Sequence, residues 1–189
     1  MKKTLSFLFV FCSFISFSQI TVDKTAPNDN PIYLIDNVLL GGGVVASNHS
    51  YEGDSMQIGF FNAVNTNLGL DSGIVMASGD VENLVPGINN FGGPANIVTD
   101  PDLLTVANSV PALIGQTFTV SSVNDIAKLE FDFVPTSDTI TFRYVFGSQE
   151  YFTYENSQYN DVFGFFLSGP GIAGPYANGA INLAVVPNS

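Results

Sequence analysis

Residues 128 to 146, KLEFDFVPTSDTITFRYVF, decide the fold. Apolar and polar residues alternate from Leu129 to Phe133 and again from Ile140 to Tyr144, the period of a half-buried strand. Between the two runs, Pro135, Thr136, Ser137 and Asp138 supply turn chemistry. A hairpin register that joins Phe133 to Ile140 also joins Phe131 to Phe142 and Leu129 to Tyr144 on one face. On the other it sets Glu130 opposite Arg143 and Asp132 opposite Thr141. The carboxylates then lie on a solvent face, with one cross-strand ion pair worth at most about 1 kcal/mol.

Working outward, the same reading recurs in GVVASNHSY (43–51), SMQIGFF (55–61), SGIVMAS (72–78), TFTV (117–120), DVFGFFLSG (161–169) and INLAVVP (181–187), with Gly, Asn, Asp and Pro between them. Many short strands with turn punctuation predict an all-β fold, an antiparallel β-sandwich of jelly-roll type. One short N-terminal helix is signalled by DNPIYLIDNVLLGGG (29–43), with Asp29 or Asn30 as cap, Pro31 in the first turn and Gly41 as stop. A second short helical turn is expected at DPDLLTVANS (100–109), capped by Asp100 with Pro101 after it. The triple glycine lacks the Lys-Ser/Thr of a phosphate loop and reads as a helix end.

At the N-terminus, Lys2 and Lys3 precede an apolar run from Leu5 to Phe17, the pattern of a secretory signal peptide over residues 1–18. The run is too short to span a bilayer. Phe11 before Cys12 is too bulky for a lipidation site, so Cys12 reads as part of the leader. The mature chain is expected to start at Gln19, to hold no cysteine, and to form one domain over 19–189 stabilised by packing or bound ions. The 46% hydrophobic content of the full sequence is that of a folded chain. The chain ends just after a run that reads as a strand, which predicts an N-terminal or truncated piece of a longer protein. Without the leader, Lys24, Lys128 and Arg143 face all seventeen Asp and Glu, a net charge of −14. Such a surface repels nucleic acid and anionic membranes and favours cations or neutral ligands such as sugars; it also reads simply as the charge of a soluble extracellular protein.

Four motifs carry a family resemblance: LGLDSGIVMASGD (68–80), LEFDFVPTSDTITFRYVFGSQEY (129–151), NDVFGFFLSGPGI (160–172) and INLAVVP (181–187). Together they resemble the choice-of-anchor L domain of secreted bacterial surface proteins of Bacteroidetes type. The resemblance implies a cell-surface or secreted location. It also implies the large exported proteins, with type IX secretion sorting domains, that are often labelled gliding-motility associated. The family takes its name from its anchors, so the resemblance says less of activity. NDVFGFFLSG is also similar in texture to the DGFAFFL strand of L-type lectins, which by position nominates Asp161 as a sugar contact.

The loop from Gly147 to Asp161 concentrates the candidate chemistry. Glu150, Glu155, Asn156, Asn160 and Asp161 offer oxygen ligands of the kind calcium takes six to eight of. A bound cation would offset repulsion in so acidic a chain. The loop reads otherwise as solvated, its Asn and Asp residues making turns. Tyr151, Tyr154 and Tyr159, with Asp161, interleave rigid aromatic faces with hydrogen-bonding groups, the composition of a glycan or protein contact. Phe152 reads as a ring folded onto the core. Catalysis has little support: His49 is the sole histidine, no nucleophile elbow exists, and zinc lacks ligands. A paired-carboxylate glycosidase using Glu130 and Glu150 is the alternative from another class, and a purely structural spacer module is a third. Asp54-Ser55-Met56 and Asp138-Thr139-Ile140 match a short O-glycan acceptor pattern, although Asp138 serves equally as a turn residue. The expectation is a secreted, non-catalytic adhesion or recognition module, calcium-stabilised, meeting an extracellular glycan or surface protein, with no nucleic-acid partner and no membrane insertion after leader removal.

Overall fold

A computed structural model describes residues 19–41, 44–84, 93, 99–148, 154, 157, 159 and 161–185; the expected leader, residues 1–18, lies outside them. Strand β1 (Thr21–Asp23) leads through a turn to helix α1 (Pro31–Leu34), which widens into a π-helical turn over Ile35–Leu39. Of the two expected caps, Asn30 is the one used. Its Oδ1 accepts from the backbone N–H groups of Ile32 (3.0 Å) and Tyr33 (3.4 Å), and Pro31 takes the first turn, where no N–H is needed. The turn closes where the Leu40 N–H reaches the Ile35 carbonyl. Leu34 and Ile35 are fully buried, and with Ile58, Val81, Phe61 and Ala63 they make up the packed interior of this half.

Strands β3 (Ile58–Asn62) and β4 (Ser72–Met76) join β1 in a three-stranded antiparallel sheet of order β1-β3-β4. The register pairs Val22 with Phe61 on one side of β3 and Phe60 with Ile74 on the other. Gln57, just before β3, is the one buried polar residue among those described. Its Oε1 accepts from Asp54 N–H (2.8 Å), and its Nε2 donates to the carbonyls of Asp125 (2.6 Å) and Ser78 (3.1 Å). One amide thus ties three chain segments together while leaving none of its own polar atoms unmet.

A second sheet pairs β2 (Val44–Glu52) with β5 (Lys128–Pro135), antiparallel, from Val44 opposite Pro135 to Glu52 opposite Lys128. The register shifts by one residue between Ser47 and Ser50, a bulge in which Asn48 takes φ 52°. Here the structure corrects the expected hairpin. Residues 139–148 form no strand, and β5 takes β2 as its partner. Polar matches across the strands favour this partner: Asn48 Nδ2 donates to Asp132 (2.7 Å) and Lys128 Nζ reaches Glu52 (3.2 Å), while Glu130 (3.3 Å) binds the same lysine from its own strand. Arg143, expected opposite Glu130, donates instead to the Gly69 carbonyl at 2.6 Å.

The expected second helical turn is in fact the longest helix described, α2 (Pro101–Leu113), so the chain has more helix than one short N-terminal segment. Asp100 Oδ1 caps it, accepting from Leu103 (2.9 Å) and Asp102 (3.0 Å), and Gly115 at φ 69° ends it. Leu103, Leu104 and Ala107 gather against Val120, Val123, Ile126 and Val162 in a second apolar cluster. TFTV, expected as a strand, makes none. The Asn108 side chain accepts from Val120 N–H (2.9 Å) and donates to its carbonyl (3.0 Å), so a helix side chain supplies both bonds a neighbouring strand would make. A short antiparallel pair, β6 (Phe166–Leu167) with β7 (Ile181–Asn182), completes three small antiparallel sheets; the two parent runs extend as strands only over these residues.

Candidate functional site

Of the residues expected to meet a ligand, Tyr154, Tyr159 and Asp161 are described, and Glu150, Tyr151, Glu155, Asn156 and Asn160 lie outside the described residues, as does Phe152. Ser157 organises the described part. Its Oγ donates to the Tyr154 carbonyl (2.6 Å) and accepts from Tyr159 N–H (3.1 Å), a serine turn that brings the two tyrosines together. Their ring centroids stand 6.2 Å apart at 77°, an edge-to-face pair, and the rings are 42% and 65% exposed. Asp161 is exposed two residues beyond Tyr159. Two flat amphipathic faces can stack on a sugar or peptide, and their hydroxyls can exchange hydrogen bonds with it.

The other titratable clusters have structural partners. His49 sits on the bulge of β2 with Nε2 3.0 Å from Asp36 Oδ1. Lys128 stands among three carboxylates, Glu52 at 3.2 Å, Glu130 at 3.3 Å and Asp100 at 3.8 Å. Partial burial works against its ammonium, but the hydrogen bonds and charges of Glu52 and Glu130 outweigh that and hold its pKa above the ordinary lysine value. Glu130, one of the two acids of the glycosidase alternative, is therefore an ion-pair partner on a sheet, and Glu150 lies outside the described residues. Burial, with the Asp54 carboxylate second, pushes the Tyr51 hydroxyl up to about 12. Among the described residues, no group of three or more His, Cys, Asp or Glu is placed to hold a metal ion. No helix among them is long and apolar enough to cross a membrane.

Sequence reasoning missed one feature. Tyr144 and Phe146, read as strand interior, are 48% and 54% exposed, and Phe163 beside them is 41% exposed. Alternation announces a face for these rings but not whether anything covers it.

The model of the choice-of-anchor L domain family matches residues 21–189, nearly the whole chain. No curated protein and no solved structure matches it.

Proposed function

The chain belongs to the choice-of-anchor L family, a surface-associated kind of module, and on that premise we propose that it is a non-catalytic recognition module displayed on or released from a bacterial surface. Its small antiparallel sheets would be the visible parts of a jelly-roll sandwich, and the loop from Gly147 to Asp161 the part that meets an extracellular glycan or a surface protein. Calcium held by Glu150, Glu155, Asn156, Asn160 and Asp161 would stiffen that loop, since a hard cation prefers such oxygen donors and a chain of net charge −12, or −14 without the expected leader, gains by binding it. Tyr151, Tyr154, Tyr159 and Asp161 would then make the contact.

The observation that carries the reading is the exposed Tyr154–Tyr159 pair held by Ser157. Rings held edge to face in solvent lose little freedom on binding and present apolar faces with polar rims. The engagement of Glu130 by Lys128 favours recognition over paired-carboxylate hydrolysis.

Thermal unfolding with calcium and then with chelator tests the ion. A ligand that binds the native state alone at a hundredfold excess over its Kd adds about 2.7 kcal/mol. The midpoint should rise with calcium in the parent protein and not in Asp161→Ala. An unchanged midpoint in a cooperatively unfolding chain removes calcium from the proposal. Loss of surface or glycan binding in Tyr154→Ala with Tyr159→Ala supports the contact, and a chain that binds neither is a spacer.

A further inference from the structure

Ring contacts in the second half of the chain describe a surface that its hydrogen bonds do not. Phe142 meets Phe165 edge-on, with centroids 4.8 Å apart at 89°. Tyr144 lies 5.5 Å from Phe163 at 43°, and Phe146 lies 6.1 Å from the same ring at 25°. Partners run in opposite senses, so residues 142–146 lie antiparallel beside 163–165. The alternate residues of the second segment turn the other way. Val162 packs on the α2 cluster, and a Cβ on Gly164 would meet Leu103 at 3.2 Å. The rings thus stand on the face away from α2. At its inner end Phe142 and Phe165 are half-buried and brace the row, while Tyr144, Phe146 and Phe163 stay open to solvent.

We propose that Tyr144, Phe146 and Phe163 form a stacking platform for an uncharged glycan chain, a site separate from the Tyr154–Tyr159 pair. Two exposed rings beside Phe163, one nearly parallel to it, suit a ligand with successive flat faces. Two kinds of polymer have them: single-stranded nucleic acid, through its bases, and a glycan, through the C–H faces of its sugars. The first is a polyanion that needs clustered Lys and Arg, and this chain carries −14 after its leader. Its one cation on the row, Arg143, is turned to the Gly69 carbonyl. A second copy with the same charge is disfavoured by repulsion. An uncharged polysaccharide meets neither obstacle. The platform rests on the recognition reading and gives it a ligand class.

Affinity electrophoresis of the purified secreted chain, in gels cast with hydroxyethyl cellulose, xylan or glucomannan and with alginate as the anionic control, tests it. Retardation by a neutral gel and not by alginate is expected. It should weaken about tenfold, the scale of two lost ring contacts, in Tyr144→Leu with Phe163→Leu, which keeps apolar bulk and removes the flat faces. The melting midpoint of that variant should match the parent, which separates ligand loss from misfolding. Retardation untouched by the double variant but lost in Tyr154→Ala with Tyr159→Ala overturns the platform and leaves the recognition reading standing. No retardation of the parent chain in any gel overturns the platform and removes glycans from that reading, leaving surface proteins. Concentration-dependent dimerisation that disappears in Tyr144→Leu assigns the face to a second copy and overturns the proposal.

Discussion

Two stretches of similar composition meet opposite fates. IGFF at the head of β3 is almost wholly enclosed, with Ile58 and Phe61 7% exposed or less, whereas YVF at residues 144–146 is about half exposed throughout. Both are β-prone and aromatic. The difference lies in what surrounds them. β3 has a strand on each side, α1 packed against it, and Gln57 at its entry satisfying three backbone groups from separate segments. Residues 139–148 have ring contacts on one face and no strand pairing. Burial follows the number of constraints that converge on a segment more than its hydrophobicity.

Mutations that remove those constraints should separate the two regions, and the largest effect is expected at Gln57. Gln57→Ala removes the side chain that bonds the Asp54 N–H and the carbonyls of Ser78 and Asp125, and opens a cavity at a fully buried position. A loss of about 4 kcal/mol in denaturant unfolding is expected. Leu34→Ala, at a fully buried position, should cost about 3 kcal/mol by the same measurement. Asp100→Ala removes the α2 cap and a member of the Lys128 cluster, a loss of about 1 kcal/mol, read most directly as faster amide exchange in the first turn of the helix. By contrast Tyr144→Leu should move stability by no more than about 0.5 kcal/mol; a loss near that of Leu34→Ala would mean that the ring is structural and erase the comparison.

A pH dependence at the alkaline end is expected as well. Tyr51 has its pKa raised to about 12 in the folded chain against 10.0 as its ordinary value, by burial first and Asp54 second. The unfolded chain therefore ionises first, and stability present below about pH 10 falls as pH rises toward 12. Tyr51→Phe should flatten that part of the profile, although it also forfeits the hydroxyl's 2.8 Å bond to the Asp54 carbonyl. Lys128, whose pKa is likewise raised, pulls in the same direction at alkaline pH.

Local signals were legible and long-range partners were not. Asn30-Pro31 and Asp100-Pro101 announced both helix starts, because a cap is read within three residues. The length of α2 was understated. Pro111 near its end and a run of β-branched and small polar residues mask a periodicity that only the cluster with Val123 and Ile126 makes decisive. The alternation of residues 128–133 correctly gave a strand and two faces, but the nearest compatible run was taken as its partner. β2, some eighty residues away, offered Asn48 for Asp132 and Glu52 for Lys128, matches that proximity along the chain conceals. At the candidate site, the loop composition nominated Tyr154 and Tyr159 as contact residues; both are exposed, and whether they meet a ligand is a matter for the binding experiments. Tyr144, Phe146 and Phe163 were missed because period-2 patterning tells which residues share a face and leaves open what lies opposite.

The Asn108 amide that occupies both main-chain groups of Val120 has a bearing on how such a chain survives outside the cell. TFTV is the kind of short, uncharged, β-branched sequence that recruits further strands when its backbone is open. Because a helix side chain already fills the position of a neighbour there, the segment offers no template at Val120 for growth. The group that closes this position stands on a different element from the sequence it closes.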